Sequence, residues 1–162
     1  MCLQANTLFT MAIAHAIASG CEAGKLYQNI KQWAADLAAD SALMDAIHGA
    51  AEAPPDDYVQ QQGWVLIAFR NALWQLLNAP SFEAGVVDTV MRGGDTDTNA
   101  AICGALLGAV YGLDAIPAQW VERVLNCRPK AEHPGVNRPR SECFWPVDAL
   151  ELATQLISTE TK

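Results

Sequence analysis

Apolar positions recur at helical spacing along most of the chain. Over residues 3–19, Ala5, Phe9, Ala12, Ile13, Ala16 and Ile17 fall on one face, and Gly20 supplies a stop. Residues 25–38 repeat the pattern with Leu26, Ile30, Trp33, Ala34 and Leu37, and a shorter stretch from Ser41 carries Leu43, Met44 and Ile47. Ala53-Pro54-Pro55-Asp56 breaks the chain. From about Asp57 to Asn78 the pattern is apolar nearly all round, which predicts a helix buried on most sides. Pro80 ends it. Ser81 caps the next helix, whose expected inward face is Phe82, Val86, Val87 and Val90. Asp95 to Gly112 follows, with Ala100, Gly104, Gly108 and Gly112 at intervals of four. Glycine inside a helix costs up to about 1 kcal/mol against alanine. Helix packing is the mechanical reading of that stripe, with another backbone approaching closely. Pro117 opens a helix with Trp120, Val121, Val124 and Leu125 inside, and Pro146 opens the last, with Val147, Leu150, Ala153, Leu156 and Ile157. Between them, Cys127 to Pro146 reads as a long structureless connection with four prolines, the kind that often serves function.

The expectation is an all-α fold, with 1–157 as one domain, 158–162 as a polar tail and no strand of useful length. Composition agrees. Apolar residues make up 51% of the 162, charged residues only 17%, and alanine, the best helix former, is the commonest residue. So little charge suggests that some apolar surface is buried against something else. The net charge of −8 argues against gripping a phosphate backbone. A divalent metal could still bring phosphates to an acidic chain. No apolar run is long enough to cross a bilayer, and no export signal is seen. Five cysteines without CxxC spacing read as free thiols in a reducing cytoplasm. His15, His48 and His133 share no ligand spacing, and no serine sits on a nucleophile elbow.

One dense polar cluster borders a long buried helix: Arg92-Gly93-Gly94-Asp95-Thr96-Asp97-Thr98-Asn99. Two glycines let the backbone turn sharply and approach a ligand. Asp95, Asp97 and Thr98 enter the first helical turn, where their side chains can converge just outside the helix end. Two carboxylates and a hydroxyl are hard oxygen ligands, suited to Mg²⁺ or Mn²⁺. The competing reading is helix capping, since Asp and Thr favour N-caps and acids complement the dipole. One side chain can cap while its neighbour binds metal. Three oxygens are also only part of an octahedral shell.

The string Gly-Gly-Asp-Thr-Asp-Thr-Asn-Ala-Ala-Ile-Cys-Gly-Ala-Leu-Leu-Gly-Ala-Val-Tyr-Gly, residues 93–112, resembles the signature of the ADP-ribosylglycohydrolases, which include the dinitrogenase reductase-activating glycohydrolases. Gly63-Trp64-Val65, Ala72-Leu73-Trp74 and Ser81-Phe82-Glu83 are similar to the segments before that motif, and Ile116-Pro117 with Trp120 to the stretch after it. Cys2-Leu3-Gln4-Ala5-Asn6 resembles the segment that follows the family's central Thr-His turn. The resemblance implies an all-α orthogonal bundle around a cleft with two divalent ions. It implies hydrolysis of the glycosidic bond joining ADP-ribose to a protein side chain or small acceptor. Asp95, Asp97 and Thr98 match metal ligands. Trp64, Gly93, Gly94 and Asn99 become substrate-side candidates, Trp64 either stacking on the substrate or packing in the core.

Full-length members of that family are longer. Their first half carries a Thr/Ser-Asp-Asp set and the acid thought to act on water. Asp56-Asp57 is an acidic pair without that surrounding pattern. The first helix is under way by residue 3 with no capping side chain before it. Both points lead to the expectation that this chain corresponds to a C-terminal half, with half a dinuclear site and little activity alone. The alternative is a non-catalytic packing module that completes a partner or dimerises through apolar surface.

Overall fold

The computed structural model describes residues 1–159, and these form eight α-helices and no strand. The chain divides into two compact units, Met1–Ile116 and Pro117–Lys162. The first unit holds α1 (Cys2–Ser19), α2 (Ala23–Asp36), α3 (Ser41–Gly49), α4 (Val65–Asn78), α5 (Phe82–Met91) and α6 (Thr96–Tyr111), then a 3₁₀ turn at Leu113–Ala115. The helix ends are those that local chemistry dictates. Gly20 closes α1 in the left-handed conformation, φ 59°. Asp40 and Ser81 cap α3 and α5 by accepting from the N–H groups of Ala42 and Ala84.

The core of this unit gathers around α4 and α6. α6 packs on α1, α4 and α5, while α2 and α3 close on α4. Leu8, Leu26, Ile30, Leu43, Ile47, Leu73, Leu76, Leu106 and Leu107 are fully buried. Some faces differ from the expected ones. In α1, Leu8 is buried and Ile17 is exposed. In α5 the buried residues are Phe82, Gly85 and Thr89, leaving Val87 and Val90 exposed. Beyond Phe82, the inward side of α5 is therefore small and polar, at Gly85 and Thr89, where the helix comes close to α6. The close approach sits at Gly85. A Cβ there would stand 2.5 Å from Leu107 Cδ1 and 3.0 Å from the Ala79 Cβ. On the α6 stripe, Gly104 and Gly108 meet only the side chains of Phe82 and Val86, at ordinary contact distance. The expected helix over 57–64 is absent. Asp57 Oδ1 accepts from the N–H groups of Val59 (2.7 Å) and Gln60 (3.2 Å), fixing a turn in place of a helical start.

The second unit holds α7 (Ala118–Leu125), 3₁₀ turns at Glu142–Phe144 and Pro146–Asp148, and α8 (Ala149–Thr159). α8 takes in Ser158 and Thr159 of the expected tail, and the rest of that tail lies outside the described residues. The connection over 127–146 is tied together. Arg140 N donates to Pro129 O (3.0 Å), and Trp145 Nε1 to Arg140 O (3.0 Å). The Arg128 guanidinium and the Lys130 ammonium lie 5.6 Å and 5.1 Å from the Trp145 ring centre. No described residue of this unit is buried, including the positions expected to face inward on α7 and α8.

Candidate functional site

The site is built where α5 turns into α6. Gly93 (φ 80°) and Gly94 (φ 72°) are both left-handed, which only glycine adopts freely. Gly94 presses on the chain itself: a Cβ there would fall 1.7 Å from the Tyr58 carbonyl oxygen. Gly93 faces open space. Thr96 N donates back to Gly94 O, and Asn99 N to Asp95 O, each at 3.0 Å, which starts α6. Asp95 thus occupies the N-cap position, yet its side chain makes no capping bond. Hydrogen bonding with the Asp95 carboxyl, then with the N–H groups of Thr98 and Asp97, holds the exposed Asp97 carboxyl below the usual carboxylate range.

Trp64, Asp95, Thr98 and Asn99 line one cavity of about 170 Å³, beside Asn6 and Gln62 and the apolar Phe9, Val65, Phe69 and Ile102. The structure brings these four predicted residues together. Asp97, Gly93 and Gly94 do not line it. The Trp64 side chain, 43% exposed at the N-terminus of α4, also borders a second cavity of about 420 Å³ with Asp45, Asp56, Asp57 and Arg70. Among the described residues, no three His, Cys, Asp or Glu side chains form a group that could hold a metal. The candidate donor set is two carboxylates and a hydroxyl.

Sequence reasoning missed the polar network behind this turn. Tyr58 OH donates to Asn71 Oδ1 (2.7 Å), Asn71 Nδ2 to Thr89 Oγ1 (3.0 Å), and Thr89 Oγ1 to Gly85 O (2.8 Å). Gln75 Nε2 donates to the Asp88 carboxylate, which pairs with Arg92 Nε at 2.6 Å. The Arg92 guanidinium lies 5.7 Å from the Tyr58 ring centre. Burial pushes the Tyr58 phenol up to about 12, partly offset by Arg92. The network fastens the loop carrying Tyr58, and with it Gly94, to α4 and α5. Its signal was present: Asn71 and Gln75 are amides set among the apolar residues of a mostly apolar helix. Cys103, also buried beside Thr89, has its thiol raised to about 11, as an unreactive core residue does.

A family model described as ADP-ribosylglycohydrolase matches residues 1–154. The chain is similar to the ADP-ribosylarginine hydrolase Tri1 of Pseudomonas putida, 34% identical over 68 residues, 42% of this chain and 18% of that protein. It is similar to the ADP-ribosyl-dinitrogen reductase glycohydrolase of Rhodospirillum rubrum, 32% identical over 65 residues, 40% of this chain and 22% of that protein. Human ADP-ribosylhydrolase ARH3 is 42% identical over 40 residues, 25% of this chain and 11% of that protein. The aligned stretches thus span under a quarter of the lengths of these relatives. No solved structure matches.

Proposed function

The chain belongs to the ADP-ribosylglycohydrolase family, and from that membership we propose that it serves hydrolysis of the bond between ADP-ribose and an acceptor, through a divalent-metal site on Asp95, Asp97 and Thr98. One observation carries the reading. The Asp95 carboxyl sits at the start of α6 without capping it, at a cavity that Thr98, Asn99 and Trp64 also line. Capping explains such a carboxyl only when it caps.

The donor chemistry fits Mg²⁺ or Mn²⁺, since all three groups are hard oxygens and two are carboxyls. When bound, such an ion supplies Lewis-acid chemistry and a template for ribose hydroxyls and water. Three side chains cannot fill an octahedral shell. In this reading the chain supplies half of a two-ion site, further acidic groups supply the rest, and the chain alone hydrolyses little. Trp64 offers its exposed ring for stacking. Gly93 and Gly94 shape the turn beside the ligand, and Asn99 lines its cavity. The relatives' names point to ADP-ribosylated protein or a small conjugate as substrate. Five free cysteines suit a reducing cytoplasm, and among the described residues no helix is long and apolar enough to cross a membrane.

Isothermal titration with Mn²⁺ or Mg²⁺ tests the site. Wild type should bind, and Asp95→Asn and Asp97→Asn should each weaken binding at least about tenfold, or about 1.4 kcal/mol. Equal binding by all three proteins would remove the metal reading. A packing module is the second reading, favoured by Leu3, Ile17 and Met91, exposed at 85%, 55% and 78%. Light scattering that finds only monomer over a wide concentration range counts against it.

A further inference from the structure

α4 carries two buried amides one helical turn apart, Asn71 and Gln75, 0% and 3% exposed. Each leads to one flank of the Gly93-Gly94 turn. Asn71 accepts from Tyr58 OH (2.7 Å) and donates to Thr89 (3.0 Å), and the Tyr58 carbonyl oxygen stands 1.7 Å from where a Gly94 Cβ would be. Gln75 donates to the Asp88 carboxylate, which holds Arg92 Nε at 2.6 Å, and Arg92 is the residue before Gly93. The two routes meet where the Arg92 guanidinium lies 5.7 Å from the Tyr58 ring centre.

We infer that Tyr58 and Arg92 are positioning residues for the metal-binding carboxyl of Asp95: anchored through Asn71 and Gln75, they hold the two-glycine turn in the conformation that brings Asp95 to the cavity Thr98 also lines. The inference rests on the proposed metal site and adds the residues that set its geometry. Such a network is a poor way to gain stability. A hydrogen bond contributes only about 0.5–1.5 kcal/mol net, and apolar groups of the same shape can do as well. What a satisfied buried network adds is one defined geometry. The turn needs that. Two glycines in succession leave the backbone many conformations, and Asp95 follows them directly. On the helix side, Asn99 N donates to Asp95 O (3.0 Å), which ties the Asp95 main chain to α6. No capping bond holds its carboxyl. On the glycine side, Gly94 closes on the Tyr58 backbone so tightly that no side chain fits between them. Where Tyr58 stands therefore decides where the turn stands.

The test is Mn²⁺ binding by the whole chain, followed by loss of the free ion's electron-spin-resonance signal. Tyr58→Phe keeps the ring but removes its anchor on Asn71, and should raise the Kd about tenfold, the lower end of what a lost orienting partner costs a metal site. Tyr27→Phe is the control. It removes another buried hydroxyl, one that donates to Ile47 O (2.8 Å) outside this network, and should bind as wild type does. Arg92→Gln separates position from charge. Removing a cation three residues from Asp95 strengthens metal binding by Coulomb attraction alone, whereas a displaced Asp95 weakens it, and weaker binding is expected. That variant alters a partly exposed ion pair and carries the test if Tyr58→Phe fails to fold. Wild-type affinity in Tyr58→Phe, equal weakening in Tyr27→Phe, or unchanged or tighter binding by Arg92→Gln overturns the inference and leaves the metal site standing. Absence of Mn²⁺ binding by wild type defeats the metal reading instead, and metal-free NMR then decides whether the network sets the turn. The backbone signals of Gly93, Gly94 and Asp95 should move in Tyr58→Phe and stay in place in Tyr27→Phe. Signals that stay in both show that the turn holds without the network, and overturn the inference.

Discussion

At the scale of single residues, the two neighbouring glycines divide their work. Gly93 and Gly94 share a left-handed backbone, but only Gly94 meets another atom, the Tyr58 carbonyl oxygen 1.7 Å from where a Cβ would sit. Gly93→Ala should therefore cost the left-handed penalty alone, about 1–2 kcal/mol. Gly94→Ala adds a backbone clash that no side-chain rotation relieves, and should exceed about 4 kcal/mol, in the exceptional range for a point change. Urea unfolding of both variants measures the difference. Equal losses would mean that the Tyr58 loop moves freely away from the turn. Tyr58 permits a second prediction at this scale. Its phenol ordinarily titrates near 10 and is raised to about 12 in the fold. The fold thus favours the neutral form. That contribution is fully present below pH 10 and is lost as pH rises from 10 through about 12. Wild-type stability should fall over that window more steeply than that of Tyr58→Phe. The variant should also cost about 1–3 kcal/mol at neutral pH, because Asn71 Oδ1 loses its donor. Parallel pH profiles of the two proteins would contradict this.

At the scale of helices, the chain announces its ends more clearly than its faces. Gly20, Ser81 and Pro117 mark boundaries that local backbone chemistry fixes, and all three stand at helix ends. Apolarity misled wherever a helix turns small or polar residues inward. Val87 and Val90 of α5 are exposed because Gly85 and Thr89 occupy its buried side, one for close approach and one for the network. The glycine repeat on α6 led to the expectation of another backbone close against it, but Gly104 and Gly108 meet only side chains at ordinary distance, and the tight contact sits at Gly85 of α5. The consequence is measurable. Gly85→Ala should destabilise by about 1–3 kcal/mol through overpacking against Leu107 and Ala79. Gly104→Ala adds only an ordinary contact with Val86 and Phe82, and should stabilise by about 0.5–1 kcal/mol through helix propensity. If the two costs are reversed in thermal melts, the packing of α5 on α6 is not as described. The cavity was legible only in part. Asp95, Thr98 and Asn99 lie within one motif, whereas Asn6, Phe9 and Gln62 reach the same space from elements distant in sequence, which spacing cannot reveal.

At the scale of the whole chain, burial is distributed very unevenly. Every described residue that is fully enclosed lies between Ala5 and Leu107, within the first compact unit. The Tyr58–Asn71–Thr89 network, the Gly93-Gly94 turn and the Asn99 cavity all belong to that unit as well. The second unit holds itself by the cation–π contacts of Trp145 and the hydrogen bonds that tie Pro129, Arg140 and Trp145 together. Exposed contacts of this kind contribute about 0.5–1 kcal/mol each. Burying one Leu or Ile side chain contributes about 1.5–3 kcal/mol, and the first unit buries many. The free energy of opening should therefore differ sharply between the two, since local stability follows local burial. Amide exchange should be slowest in α4 and α6 and fastest across residues 117–159. A shortened chain ending at Ile116 should keep a cooperative thermal transition within about 4 °C of the full chain, which corresponds to about 1–2 kcal/mol at this size. It should retain the late ionisation of Tyr58, followed as tyrosinate absorbance. Loss of the cooperative transition in that fragment would show that the first unit depends on residues after Ile116 for its fold.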